Sequence, residues 1–123
     1  MKKKHGFKLS TVDENSRNLD EICKIIKRNL PLAKIIFTLS PIPLMATFRN
    51  QSCITANSIS KSILRVALDN VLTKYKEDDQ IYYFPSYEIT KDYLVDPFKD
   101  DNRHMKDEYV SFIMKIFEQN YCL

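Results

Sequence analysis

An α/β fold built on two parallel strands is what this sequence predicts. Three observations predict it. Residues 33–39 and 81–84 are short, nearly continuous apolar runs, helical periodicity appears before, between and after them, and the segment joining them is long enough for a helical crossover. Apolar runs of this length, bounded by turn residues, read as strands covered on both faces. Two strands joined by a helix pair in parallel through a right-handed crossover, and the helices can lie on both faces. The expected order is helix, strand, helix, strand, helix.

Residues 1–17 are polar and aperiodic and read as a tail or lead-in, leaving residues 18–123 as the folded domain. Asn18 and Glu21 have the spacing of a capping box, and Leu19, Ile22, Cys23, Ile26 and Leu30 follow at helical intervals. Lys24, Lys27 and Arg28 suit the end of that helix, and Pro31 stops it. The first strand ends at Ser40-Pro41-Ile42-Pro43, because prolines do not continue a central strand. Residues 44–56 read as a loop at the carboxyl end of that strand, where α/β proteins place their sites. Asn57 or Ser58 caps a helix that runs to about Tyr75 and whose wide apolar face makes it broadly buried. After a charged turn, Ile81-Tyr82-Tyr83-Phe84 is rich in strand-forming side chains and Pro85-Ser86-Tyr87-Glu88 ends it. An acidic loop follows at 92–100. A final helix beginning near Met105 or Lys106 carries Tyr109, Phe112, Ile113, Ile116 and Phe117 on its apolar face.

Composition narrows the function classes. The net charge of +3 is supplied by Lys2, Lys3 and Lys4, so the body of the chain is neutral. A neutral body lacks the clustered basic face that nucleic-acid binding needs. There is no apolar run of membrane-spanning length, and the basic start is not followed by the apolar stretch of a signal peptide, so a cytoplasmic location is expected. Cys23, Cys53 and Cys122 are widely spaced and form no metal-ligand pattern. Cys23 sits on an apolar helical face and reads as a small buried hydrophobe; Cys53 reads as an ordinary loop thiol. The one glycine, Gly6, excludes glycine-rich dinucleotide and phosphate loops, and no cofactor or metal is expected.

One spacing carries chemistry. Asp101 stands three residues before His104, and a carboxylate so placed can orient the imidazole as a general base. The alternative is that Asp101 caps the final helix and His104 lies on its first turn. Ser60-Lys61 is a nominal nucleophile–base pair, but neighbours on a helix point about 100 degrees apart.

Four blocks in order resemble the later part of a GSCFA domain, a family named for a Gly-Ser-Cys-Phe-Ala motif. They are Phe37-Thr38-Leu39-Ser40-Pro41-Ile42-Pro43-Leu44, then Ala56-Asn57-Ser58 with Ser60-Lys61-Ser62 and Leu64-Arg65, then Tyr83-Phe84-Pro85-Ser86-Tyr87-Glu88, then Asp101-Asn102-Arg103-His104. The resemblance runs from about residue 18 to 123. It implies a partial flavodoxin-like, three-layer fold of the SGNH hydrolase type. It also implies that His104 is the catalytic base and Asp101 its partner, in serine esterase or acyltransferase chemistry on acylated carbohydrate or polysaccharide. Ser40, Arg103, Tyr87 and Glu88 would wall the site, with Arg103 more naturally a structural ion-pair former. The Gly-Ser-Cys-Phe-Ala block itself is absent, so the resemblance implies a C-terminal half that is inactive alone and partners an N-terminal half-domain. The alternative is an inactive remnant or interaction module that docks, or self-associates, through an open strand edge beside residues 33–39.

Overall fold

The computed structural model describes residues 6–122, so the lysine-rich start lies outside the described residues. The elements are α1 (Val12–Asn29), β1 (Ile35–Thr38), α2 (Cys53–Lys74), β2 (Ile81–Phe84), a single turn α3 (Ser86–Glu88) that runs on as a π-helical turn (Ile89–Tyr93), and α4 (Asp107–Tyr121). The two strands form one parallel sheet, with Ile35 opposite Ile81 and Thr38 opposite Phe84. The α/β class and the parallel pairing therefore follow the apolar runs.

Alternation along the strands sends successive side chains to opposite faces. Ile35 and Ile81 pack with Cys23 of α1 and Val71 of α2, supported by Leu19, Ile26, Phe37 and Leu72. Cys23 is fully buried, the small hydrophobe its place on the α1 stripe required. On the other face Phe84 meets Phe117 and Tyr121 of α4 edge-on, at ring separations of 5.2 and 6.0 Å. Helices thus cover both faces of a very thin sheet.

A carboxylate locks α1 to α2. Asp20 accepts from Lys74 Nζ at 2.7 Å and from the Tyr75 hydroxyl at 2.8 Å, and pairs with Lys24 at 2.9 Å. The two lysines and then the phenol hold the Asp20 carboxyl well below the usual carboxylate range. Burial, then Asp20, pushes the Tyr75 hydroxyl up to about 12.

Several boundaries differ from the sequence expectation. The first helix starts at Val12, not Asn18, and its capping box is Thr11 with Glu14: the Thr11 hydroxyl accepts from Glu14 N at 3.2 Å and the Glu14 carboxylate from Thr11 N at 2.9 Å. The second begins at Cys53 under a Ser52 cap, which accepts from Thr55 N at 3.2 Å, so Cys53 is helical rather than in a loop. Pro85 does not open a plain loop; it leads into α3 and the π-helical turn. The last helix begins at Asp107, after Lys106. No helix among the described residues is long and apolar enough to cross a membrane.

Candidate functional site

The Asp101–His104 segment is the tip of a small antiparallel loop, not a helix end. Phe98 and Met105 bridge its base, Lys99 N donates to His104 O at 2.7 Å, and Lys106 N donates to Pro97 O at 2.9 Å. Asn102 N donates to Lys99 O at 2.8 Å, and Asn102 takes the left-handed conformation (φ 53°) that asparagine tolerates better than most residues. The Asp101 carboxylate closes the tip. One oxygen accepts from Arg103 N at 3.0 Å and His104 N at 2.9 Å, and the other is bonded to Nδ1 of the His104 ring. Asp101 therefore caps its own loop, not α4, and His104 lies outside the first helical turn.

These bonds set the electrostatics. The His104 ring, followed by the two backbone N–H groups, holds the Asp101 carboxyl well below the usual carboxylate range. An ionised carboxylate on Nδ1 selects the tautomer with its proton on Nδ1, leaving Nε2 as an acceptor. The ring is 72% exposed, so Nε2 is open to a proton donor. Ion pairs Lys99–Asp107 (2.9 Å) and Lys106–Asp96 (2.7 Å), with the Tyr109 hydroxyl donating to Val95 O (2.8 Å), tie the loop to the start of α4.

A second cluster joins the carboxyl ends of the strands. The Thr38 and Ser86 hydroxyls are 2.5 Å apart, and Ser86 also donates to Leu39 O at 3.1 Å. Asn57, Lys61 and Arg65, four residues apart on α2, form one polar line along the helix. Asn57 Oδ1 accepts from Leu44 N at 3.0 Å, Lys61 Nζ donates to Ser40 O at 2.6 Å, and Arg65 Nε donates to Glu88 at 2.8 Å. Glu88 also accepts from the Tyr83 hydroxyl at 2.8 Å, and the Arg65 guanidinium lies over the Tyr83 ring.

The expected wall residues divide accordingly. Ser40 is exposed, its carbonyl is held by Lys61, and its hydroxyl accepts from Ile42 N. Glu88 is engaged by Arg65 and Tyr83, and Tyr87 is half-buried. Arg103 is exposed and forms no ion pair among the described residues, so the expected structural pair is not present; it contributes its backbone N–H to Asp101. No hydrogen bond links the Asp101–His104 loop to Ser40, Tyr87 or Glu88.

The sequence model of the GSCFA family matches residues 1–117. The chain belongs to the GSCFA family. Neither a curated protein nor a solved structure matches it. The family match covers β1, α2, β2 and the whole Asp101–His104 loop, and it takes in the residues ahead of Asn18 where the sequence resemblance began.

Sequence reasoning missed Lys61 as a positioned group in this GSCFA-family chain, weighing it only beside Ser60. Its signal was a lysine in line with Asn57 and Arg65 at four-residue spacing. Lys61 is 8% exposed, has no carboxylate partner among the described residues, and burial pushes its pKa down. A buried ammonium with one acceptor carries a desolvation cost that a single hydrogen bond offsets only in part. Lys61→Met keeps the stem and removes the charge. Thermal unfolding of Lys61→Met is expected to show about 1 kcal/mol of added stability, with faster amide exchange in the loop after Ser40. A drop in stability would show that the bond to Ser40 O outweighs the buried charge.

Proposed function

We propose that this GSCFA-family chain supplies the proton-handling end of a serine esterase or acyltransferase of the SGNH type. His104 takes the proton from a serine hydroxyl, and Asp101 holds the ring tautomer and stabilises the imidazolium that forms. The observation that carries the reading is the bond from the Asp101 carboxylate to His104 Nδ1, which leaves Nε2 exposed. The attacking serine and its oxyanion donors come from another segment of polypeptide, because the 123 residues contain no Gly-Ser-Cys-Phe-Ala block. A base without nucleophile and oxyanion donors gives no useful ester hydrolysis. The exposed Ser40, together with Arg103 and Tyr87, walls the site, and Glu88 is a fixed carboxylate at its edge. Acylated carbohydrate as substrate rests on the family resemblance. The cytoplasm as compartment accords with three cysteines that are all free thiols.

Two measurements test this. Hydrolysis of p-nitrophenyl acetate by the chain is expected to equal that of His104→Ala; a His104-dependent rate would reveal a nucleophile within the chain, with Ser40, Ser52, Cys53 and Ser86 first to be substituted. Nitrogen NMR of the neutral ring is expected to show the proton on Nδ1, shifting toward a mixture in Asp101→Ala. A native ring protonated on Nε2 would remove the base assignment.

A second reading is favoured by the sheet. Among the described residues β1 pairs with β2 alone, which leaves its other edge open, and an open edge is a docking surface for another polypeptide. In that reading the chain is an interaction module.

A further inference from the structure

The loop between β1 and α2 is held in place yet turns its apolar side chains outward. Asn57 Oδ1 accepts from Leu44 N at 3.0 Å and Cys53 Sγ donates to Leu44 O at 3.1 Å, so α2 grips the loop at Leu44. Thr47 Oγ1 accepts from Arg49 N at 3.1 Å and Gln51 N donates to Arg49 O at 2.8 Å, which closes its tip. Despite those bonds Met45, Phe48 and Ile54 are 65, 88 and 85% exposed, and Leu44 is exposed beside them. The Phe7 ring, also exposed, lies 5.9 Å from that of Phe48, so the lead-in to α1 joins the same patch. Single apolar residues scattered over a surface are ordinary; several gathered on one held loop, and on the segment against it, mark a contact site.

We infer that this patch seats the chain on an anionic lipid surface. Charge selects that occupant. Residues 22–68 contain no aspartate or glutamate, so β1, the loop and α2 as far as Leu68 present no carboxylate to an anionic surface, and Arg49 lies within the loop. Lys2, Lys3 and Lys4 supply the whole net charge, and they precede Phe7 by five to three residues. The covalent chain alone keeps them within about 18 Å of Phe7. The carboxylates next along the chain are Asp13 and Glu14 of α1; Glu14 is paired with Lys8, and Arg17 stands one turn on from Asp13. An apolar tip does not distinguish one lipid from another, and a lysine run alone is held only by the surface potential. Together they are the two signals that lasting attachment to a membrane surface takes. An apolar pocket on a protein would account for the tip and leave the lysine run without a part. The inference uses none of residues 97–106 and stands apart from the proton-handling reading.

The test is sedimentation of the full chain with vesicles of phosphatidylcholine alone and of phosphatidylcholine mixed with phosphatidylserine. Binding to the mixed vesicles well above that to the neutral ones, falling as salt shortens the Debye length, is expected. Lys2→Ala, Lys3→Ala and Lys4→Ala combined are expected to weaken it by about tenfold or more, each lysine near the surface being worth about fivefold. Phe48→Ser with Ile54→Ser is expected to weaken it by about tenfold or more, with the helical circular dichroism unchanged because both side chains stand in solvent. Amides of residues 44–54 in the native chain are expected to exchange more slowly on the mixed vesicles, which decides the matter should the double serine variant lose its helical signal. No sedimentation with the mixed vesicles, equal binding to the neutral ones, or binding that the double serine variant retains in full overturns the inference. Slower exchange at those amides in a lipid-free protein extract, with none on vesicles, overturns it in favour of a protein partner. His104→Ala binds the vesicles as the native chain does, so failure of the proton-handling reading registers separately.

Discussion

Phe84→Ala is expected to destabilise the fold by about 4 kcal/mol, lowering the thermal midpoint by more than about 10 °C. Phe84 is buried at the end of β2 and makes the edge-on contacts that hold α4 to the sheet. Its removal forfeits the transfer energy of a large aromatic, the quadrupolar fit to Phe117 and Tyr121, and the packing around the space left behind. With total stabilities of about 5–15 kcal/mol for such domains, the loss is a large fraction of the whole. Denaturant unfolding measures it, and amide exchange across α4 should quicken more than exchange across α1. A loss below about 1 kcal/mol would mean that α4 is held elsewhere.

Glu88→Ala is expected to cost about 2 kcal/mol. The carboxylate satisfies the Arg65 guanidinium and the Tyr83 hydroxyl together, and burial followed by Glu88 keeps that hydroxyl neutral far above the ordinary tyrosine range. Truncation leaves a part-buried cation and a phenol without their shared partner, and frees the segment after β2. The pair can be separated from its parts by a double-mutant cycle. Arg65→Met with Glu88→Leu is expected to cost less than Glu88→Ala alone, since no unpaired cation is left and only the Tyr83 hydroxyl loses its acceptor. Equal or additive losses would show that Arg65 and Glu88 do not act through each other.

Much of the architecture was legible because it is written in apolar periodicity. Residues 33–39 and 81–84 carry nearly continuous hydrophobic runs, the pattern of strands covered on both faces. Helix starts were obscured where the first turns are solvent-facing. Residues 12–17 bury little, so the true cap at Thr11 looked no better than the equally spaced Asn18–Glu21 pair. Ile54, exposed at the start of α2, interrupted the stripe that would have pointed to Ser52. The turn after Pro85 is too short to show a period. For the candidate site, the Asp101–His104 spacing was visible, but the choice between helix cap and base orienter was not, because both use the same two residue types. The partners of Lys61, Arg65 and Glu88 were hidden for another reason: they are distant in sequence, and only the crossover through α2 brings them together.

Every hydrogen bond that fixes the His104 ring comes from residues 99–104. The imidazole is thus aimed by a self-contained cassette, independent of the sheet and of α1. Reach and readiness are thereby uncoupled: shifts in how the loop sits on the body move Nε2 as a unit, while its lone pair stays presented throughout.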